Sequence, residues 1–178
     1  HYVPGGYTHT FRRKGYVWDV GVHAVGEVTE HSLTGRLLRA LTDGELTWAS
    51  LGPVYDAFHY PARHAGEDSF HIDFPDSPQQ FRDNLLAAFP AEGEAIDRYF
   101  LEVKKVAGAM KGYYGARLLG GRAGRVADRL FAREARRQLT RHTEEVVNEL
   151  TDNPHLRAIF VAQWGYYGSI PARSSWAM

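Results

Sequence analysis

The chain has 178 residues, 44% hydrophobic and 24% charged, with 21 Lys+Arg against 21 Asp+Glu and no cysteine. That is ordinary globular composition. The charge balance argues against a globally basic nucleic-acid binder, and the lack of Cys excludes disulfides, thiolate catalysis and zinc–thiolate sites. No apolar run approaches the roughly 18–20 residues of a membrane span. The first residues do not read as a signal peptide, since no charged region precedes an apolar core.

The chain opens on Gly5-Gly6 and a polar run, Thr8-His9-Thr10. Phe11 to Arg13 and Tyr16 to Val20 read as two short strands around Lys14-Gly15, where Gly15 supplies the positive φ of a tight turn. Ser32 is placed to cap a helix whose Leu33, Leu37, Leu38 and Leu41 form one apolar stripe, closed by Gly44. Leu46 to Ser50, Val54 to Tyr60 and Ser69 to Phe74 have strand composition, and the polar "PARHAGED" between the last two predicts a hairpin.

"DSPQQF" reads as a helix start: Ser77 as cap, Pro78 at the first helical position, and Gln80 to complete a capping box. Phe81, Leu85, Leu86 and Phe89 then face a core, and Pro90 stops the helix. Ile96, Tyr99, Phe100, Val103, Val106, Met110 and Tyr114 recur at helical spacing, which predicts a long helix. "LLGGRAGR" breaks it. Val126 to Phe131, Leu139 to Leu150, and Asn153-Pro154 to about Gln163 read as further helices, and "GYYGSIPARSS" as a loop.

The expected fold class is therefore α+β: a small, mostly antiparallel sheet with a helical region of about five helices. No G-x-S-x-G elbow is visible. A G-x-G-x-x-G motif after a strand is also missing; "GGRAG" at Gly120 to Gly124 lies between helices.

A lone Gly-Gly pair is commonly just a turn. More specific is the series Pro4-Gly5-Gly6, a Thr-containing polar run, a Lys-Gly turn, an aromatic strand, then Asp19-x-Gly21-x-His23. On "GGYTHTF", "KGYVWDVGVHAVGE" and the late "QWGYYGSIP", the chain resembles the phytoene desaturase and carotenoid isomerase family of FAD-dependent oxidoreductases, and within it the retinol saturase and carotenoid isomerase branch. The details fit amine or porphyrinogen oxidases less well.

The resemblance implies the middle portion of a two-domain FAD/NAD(P)-binding oxidoreductase. Residues 1–26 would be a remnant of the FAD-binding domain, and 27–178 a substrate-binding domain. The implied function is desaturation, saturation or isomerisation of a conjugated isoprenoid lipid such as a carotenoid or retinoid, with FAD as cofactor and NAD(P) an open second one. The alternative is a lipid-binding or interaction module without chemistry. Gly5, Gly6 and Thr8 would lie on the pyrophosphate and ribityl side of the cofactor. Asp19, Gly21 and His23 would line the meeting of flavin and substrate domain. His9 and His23 are the titratable candidates for catalysis. Trp164, Tyr166 and Tyr167 would contact substrate. This chain alone is expected to be inactive and not to bind FAD tightly.

Three further patterns have a bland and a sharp reading. His59, His64 and His71 read as surface hairpin histidines rather than a metal site, and Glu67, Asp73 and Asp76 do not complete one. Tyr99, Phe100, Tyr113 and Tyr114 are core residues or the wall of an apolar tunnel. Residues 111–141 carry eight arginines among Leu, Val and Phe. They read as a solvated face, a membrane surface, or, least of all, a nucleic-acid contact. The expected location is cytoplasmic, with peripheral membrane contact as the variant.

Overall fold

In the computed structural model, residues 4–21, 24–62, 66 and 69–177 are described. The chain divides into two compact units, residues 1–50 and 51–178.

In the first unit a single 3-10 turn, Gly6–Thr8, precedes β1 (Thr10–Arg13) and β2 (Tyr16–Asp19). They pair antiparallel with Phe11 opposite Trp18 and Arg13 opposite Tyr16. Lys14 and Gly15 both take positive φ, 51° and 84°, as a two-residue hairpin turn requires. Helix α1 (Leu33–Leu41) is capped by Ser32, whose Oγ accepts from Gly35 N at 3.0 Å. Gly35 is fixed by close approach: a Cβ there would lie 2.0 Å from the Thr29 carbonyl. The leucine stripe forms, but it is not a buried face: Leu33 and Leu41 are 75% and 71% exposed. The expected strand at Leu46 to Ser50 is irregular chain. A strand is held by a ladder of N–H and C=O bonds to a neighbour, and neither described sheet includes this segment.

The second unit begins with β3 (Val54–Tyr60) and β4 (Phe70–Pro75), paired with Phe58 opposite Ile72 and a bulge between Val54 and Asp56. The described strands thus form two separate two-stranded sheets, not one. In α2 (Pro78–Ala88), Ser77 caps by accepting from Gln80 N at 3.3 Å. The capping box does not close: Gln80 donates forward to Asn84 at 3.0 Å instead. A 3-10 turn, Pro90–Glu92, leads into α3 (Gly93–Leu118), 26 residues long.

The break after α3 is Leu119-Gly120, shorter than expected, and α4 (Gly121–Phe131) starts within "GRAGR". Glycine makes this possible, because a Cβ on Gly124 would lie 1.9 Å from the Leu119 carbonyl. The helix expected from Leu139 to Leu150 is two, α5 (Arg133–Thr140) and α6 (Thr143–Leu150). The cause is tertiary: Arg141 O accepts from Trp176 N at 2.9 Å, and Thr143 N donates to Ser174 O at 2.9 Å. The C-terminal segment thus takes backbone groups that a continuous helix would use. Helix α7 (Pro154–Phe160) starts on Asn153, whose Oδ1 accepts from His155 N and Leu156 N. Its end precedes the expected Gln163. Part of the expected late loop is a helical turn, α8 (Trp164–Tyr167), closed by Gly168 at φ 79°.

The core of the second unit joins β4, α2, α3, α6 and α7 through Phe74, Leu85, Ile96, Val146 and Leu156. Tyr99 stacks flat on Phe160, ring centroids 4.0 Å apart. No helix among the described residues is long and apolar enough to cross a membrane.

Candidate functional site

The second unit holds a cavity of about 500 Å³, within the usual range for small-molecule sites, ~300–1,000 Å³. One wall is α3: Tyr99, Val103, Val106, Met110 and Tyr114 line it. Their spacings of four, three, four and four place them on one helical face. Phe160, Trp164 and Tyr167 form the wall opposite in sequence, from the end of α7 through α8. Trp176 and its neighbours Ser174 and Ser175 complete it. The lining is mostly aromatic and aliphatic, so it suits an apolar ligand.

The polar groups here are mostly committed. Ser174 Oγ donates within its own turn, to Ser169 O at 2.8 Å and Ile170 O at 2.9 Å. Thr143 Oγ1 donates to Ser174 O at 3.2 Å, and Gln163 Nε2 to the Tyr55 hydroxyl at 3.1 Å. Two groups differ. Trp176 Nε1 is buried without a hydrogen-bond partner among the described residues. The Tyr99 phenol is pushed up to about 12, first by burial and then by the nearby Tyr55 phenol, so it stays protonated at any ordinary pH.

Of the expected substrate residues, Trp164 and Tyr167 line the cavity. Tyr166, on the same turn, does not: its hydroxyl donates to the Asp56 carboxylate at 3.0 Å, and that carboxylate raises its pKa. The aromatic run on α3 splits likewise. Tyr99 and Tyr114 face the cavity, Phe100 packs against the core, and the Tyr113 ring lies under the Arg117 guanidinium at 3.4 Å. The contribution of residues 174–176 had no signal in local sequence pattern. It exists because the chain returns to pair with 141–143.

The expected cofactor residues lie in the first unit. Gly5 and Gly6 hold left-handed backbone, φ 98° and 55°. Thr8 Oγ1 donates to Gly5 O at 2.7 Å, and His9 Nδ1 lies 2.6 Å from Gly6 O. A carbonyl only accepts, so Nδ1 carries the proton and His9 serves to close the turn. Asp19 ends β2 opposite Thr10, and Gly21 follows at φ 88°. His23 lies outside the described residues, as do His64 and Glu67 of the hairpin. His59 and His71 stack across β3 and β4, 5.7 Å between rings.

No family model matches the chain, and no solved structure matches it. Among curated proteins, an all-trans-retinol 13,14-reductase of Danio rerio is 33% identical over 187 residues, covering 98% of this chain and 29% of that protein. From end to end, the chain is similar to all-trans-retinol 13,14-reductases. The Homo sapiens reductase is 26% identical over 182 residues, 100% of this chain and 29% of its own length. A Danio rerio protein named as an inactive all-trans-retinol 13,14-reductase is 26% identical over 100 residues, 56% of this chain and 16% of its own. The chain therefore spans about three tenths of the length of the first two relatives. Both the Gly-Gly turn and the cavity fall inside the match to the Homo sapiens reductase.

Proposed function

We propose that this chain forms the substrate-binding portion of an FAD-dependent oxidoreductase acting on a retinoid or similar conjugated isoprenoid, and that the cavity holds the polyene. The observation that carries this is the aromatic cavity of about 500 Å³, in a chain similar throughout to the retinol reductases. Trp164, Tyr167 and the Tyr99–Phe160 stack offer flat faces to a conjugated chain, and Val103, Val106 and Met110 keep water from it. Tyr99, held neutral by burial, is a hydrogen-bond donor at this wall rather than an anion.

The reading calls for FAD, and the residues present fit one part of such a site. Gly5 and Gly6 offer main chain without side chains in left-handed conformation. Consecutive backbone amides in such a turn suit a pyrophosphate. A Cβ on Gly5 would come within 3.2 Å of the His9 backbone, so the turn depends on glycine. Gly5, Gly6 and Thr8 would hold the cofactor there, with Asp19 and Gly21 following along the chain. Bound FAD would supply hydride transfer at a conjugated double bond.

A second reading, a lipid-binding module without chemistry, draws on the partial match to a relative named as inactive. Titrating the chain with all-trans-retinol separates the questions. Saturable quenching of tryptophan emission is expected in the wild type. It should be lost in Ala107→Trp, which fills the cavity from an exposed position of α3. Equal quenching in both would place the ligand elsewhere. The enzyme reading further requires that Gly5→Val in the full-length protein lower flavin content, which the module reading does not.

A further inference from the structure

Helix α4 has two faces. The inner one is tied to α3: Gly124 and Ala127 are buried, and Gly112 of α3 leaves only 3.0 Å between a Cβ and the Phe131 carbonyl. The outer face carries Arg122, Arg125 and Arg129 at i, i+3 and i+7, with Val126 and Leu130 at i+4 and i+8 beside them. Leu118 and Leu119 extend the apolar strip at the junction with α3. Leu118 is 88% exposed and Leu130 68%.

Charge on this face is strongly one-sided. Asp128, the acid of the helix, is already matched by Arg117 at 3.6 Å and by Arg136. Arg122, Arg125, Arg129 and the following Arg133 have no ion-pair partner among the described residues.

We propose that α4 and the α3–α4 junction form a docking surface for an anionic lipid bilayer. The leucines and Val126 enter the headgroup–acyl boundary, and the arginines meet lipid phosphates and carboxylates. An apolar strip flanked by unpaired cations is what an in-plane interfacial helix needs. A nucleic-acid surface needs the arginines but gives the exposed leucines no role. A protein partner would have to bring both a matching apolar ridge and several acids. The patch also adjoins the cavity: Tyr114, which lines it, stands one helical turn before Leu118 on α3. A ligand dissolved in the bilayer would then reach the cavity without crossing water. That last link rests on the polyene reading; the lipid contact does not.

The test is sedimentation of the chain with vesicles of phosphatidylcholine alone, and with phosphatidylserine as a third of the lipid. Binding is expected on the anionic vesicles and to fall with added salt. Arg125→Gln with Arg129→Gln should weaken it about thirtyfold, at about 1 kcal/mol for each basic residue at the surface. Leu119→Ser with Leu130→Ser should remove the binding that survives high salt. Lys104→Gln with Arg173→Gln, equal in charge but off this face, should leave it unchanged. Circular dichroism confirms that each variant is folded. Four results would overturn the proposal: no vesicle binding by the wild type; equal binding to both vesicle types; an arginine pair that matters only for binding duplex DNA; or leucine substitutions that alter self-association but not sedimentation.

Discussion

Replacing Tyr99 by Phe removes one hydroxyl and keeps the ring that stacks on Phe160 at 4.0 Å. Burial raises this phenol from 10.0 to about 12. A raised folded-state pKa means that the folded chain holds the proton more tightly than the unfolded one. The associated stability is therefore fully present below pH 10 and is lost as pH rises through about 12. Two units correspond to about 3 kcal/mol at ~1.36 kcal/mol each. No described group bonds the Tyr99 hydroxyl, so Tyr99→Phe should change stability at neutral pH by less than about 1 kcal/mol. The measurement is the urea midpoint of wild type and variant at a series of pH values. The wild type should lose markedly more stability than Tyr99→Phe between pH 10 and 12. Tyr60, also raised by burial, supplies a smaller background that Tyr60→Phe would expose. Parallel curves for wild type and Tyr99→Phe would refute the claim that this phenol is held neutral in the cavity wall.

Gly124→Ala and Gly108→Ala should have opposite signs although both lie inside helices. Nothing stands within 4 Å of a Cβ on Gly108, so alanine there should stabilise by about 1 kcal/mol. At Gly124 the Cβ meets the Leu119 carbonyl, and chemical denaturation should show a net loss of about 1–3 kcal/mol. Asn153→Ala removes the acceptor of two backbone amides at the start of α7; a loss of about 1 kcal/mol is expected by the same assay.

Much of the fold was legible because it is written locally. The Lys14-Gly15 hairpin, the Ser77-Pro78 helix start and the Asn153-Pro154 start each depend on residues a few positions apart. The long periodic run of α3 likewise announced itself. The errors share a cause. Leu46 to Ser50 has strand composition but joins neither described sheet. The Gln80 side chain donates forward to Asn84 where a capping box would have it accept from the Ser77 backbone N–H. The run from Leu139 to Leu150 is helical by composition, yet the returning segment 174–176 claims the backbone at 141 and 143.

The site divides in the same way. The family resemblance offered Gly5 and Gly6 for a cofactor and Trp164, Tyr166 and Tyr167 for a substrate, and of the latter Trp164 and Tyr167 line the cavity of the second unit. Sequence alone set the face of α3 on which Tyr99, Val106 and Met110 fall together, since helical periodicity fixes which residues are neighbours. Only the tertiary structure decided that Tyr99 and Tyr114 face the cavity while Phe100 enters the core, that Tyr166 turns to Asp56, and that Trp176 closes the wall. Those outcomes depend on which surfaces meet across tens of residues. No local pattern encodes them, because burial is a property of the contact and not of the residue.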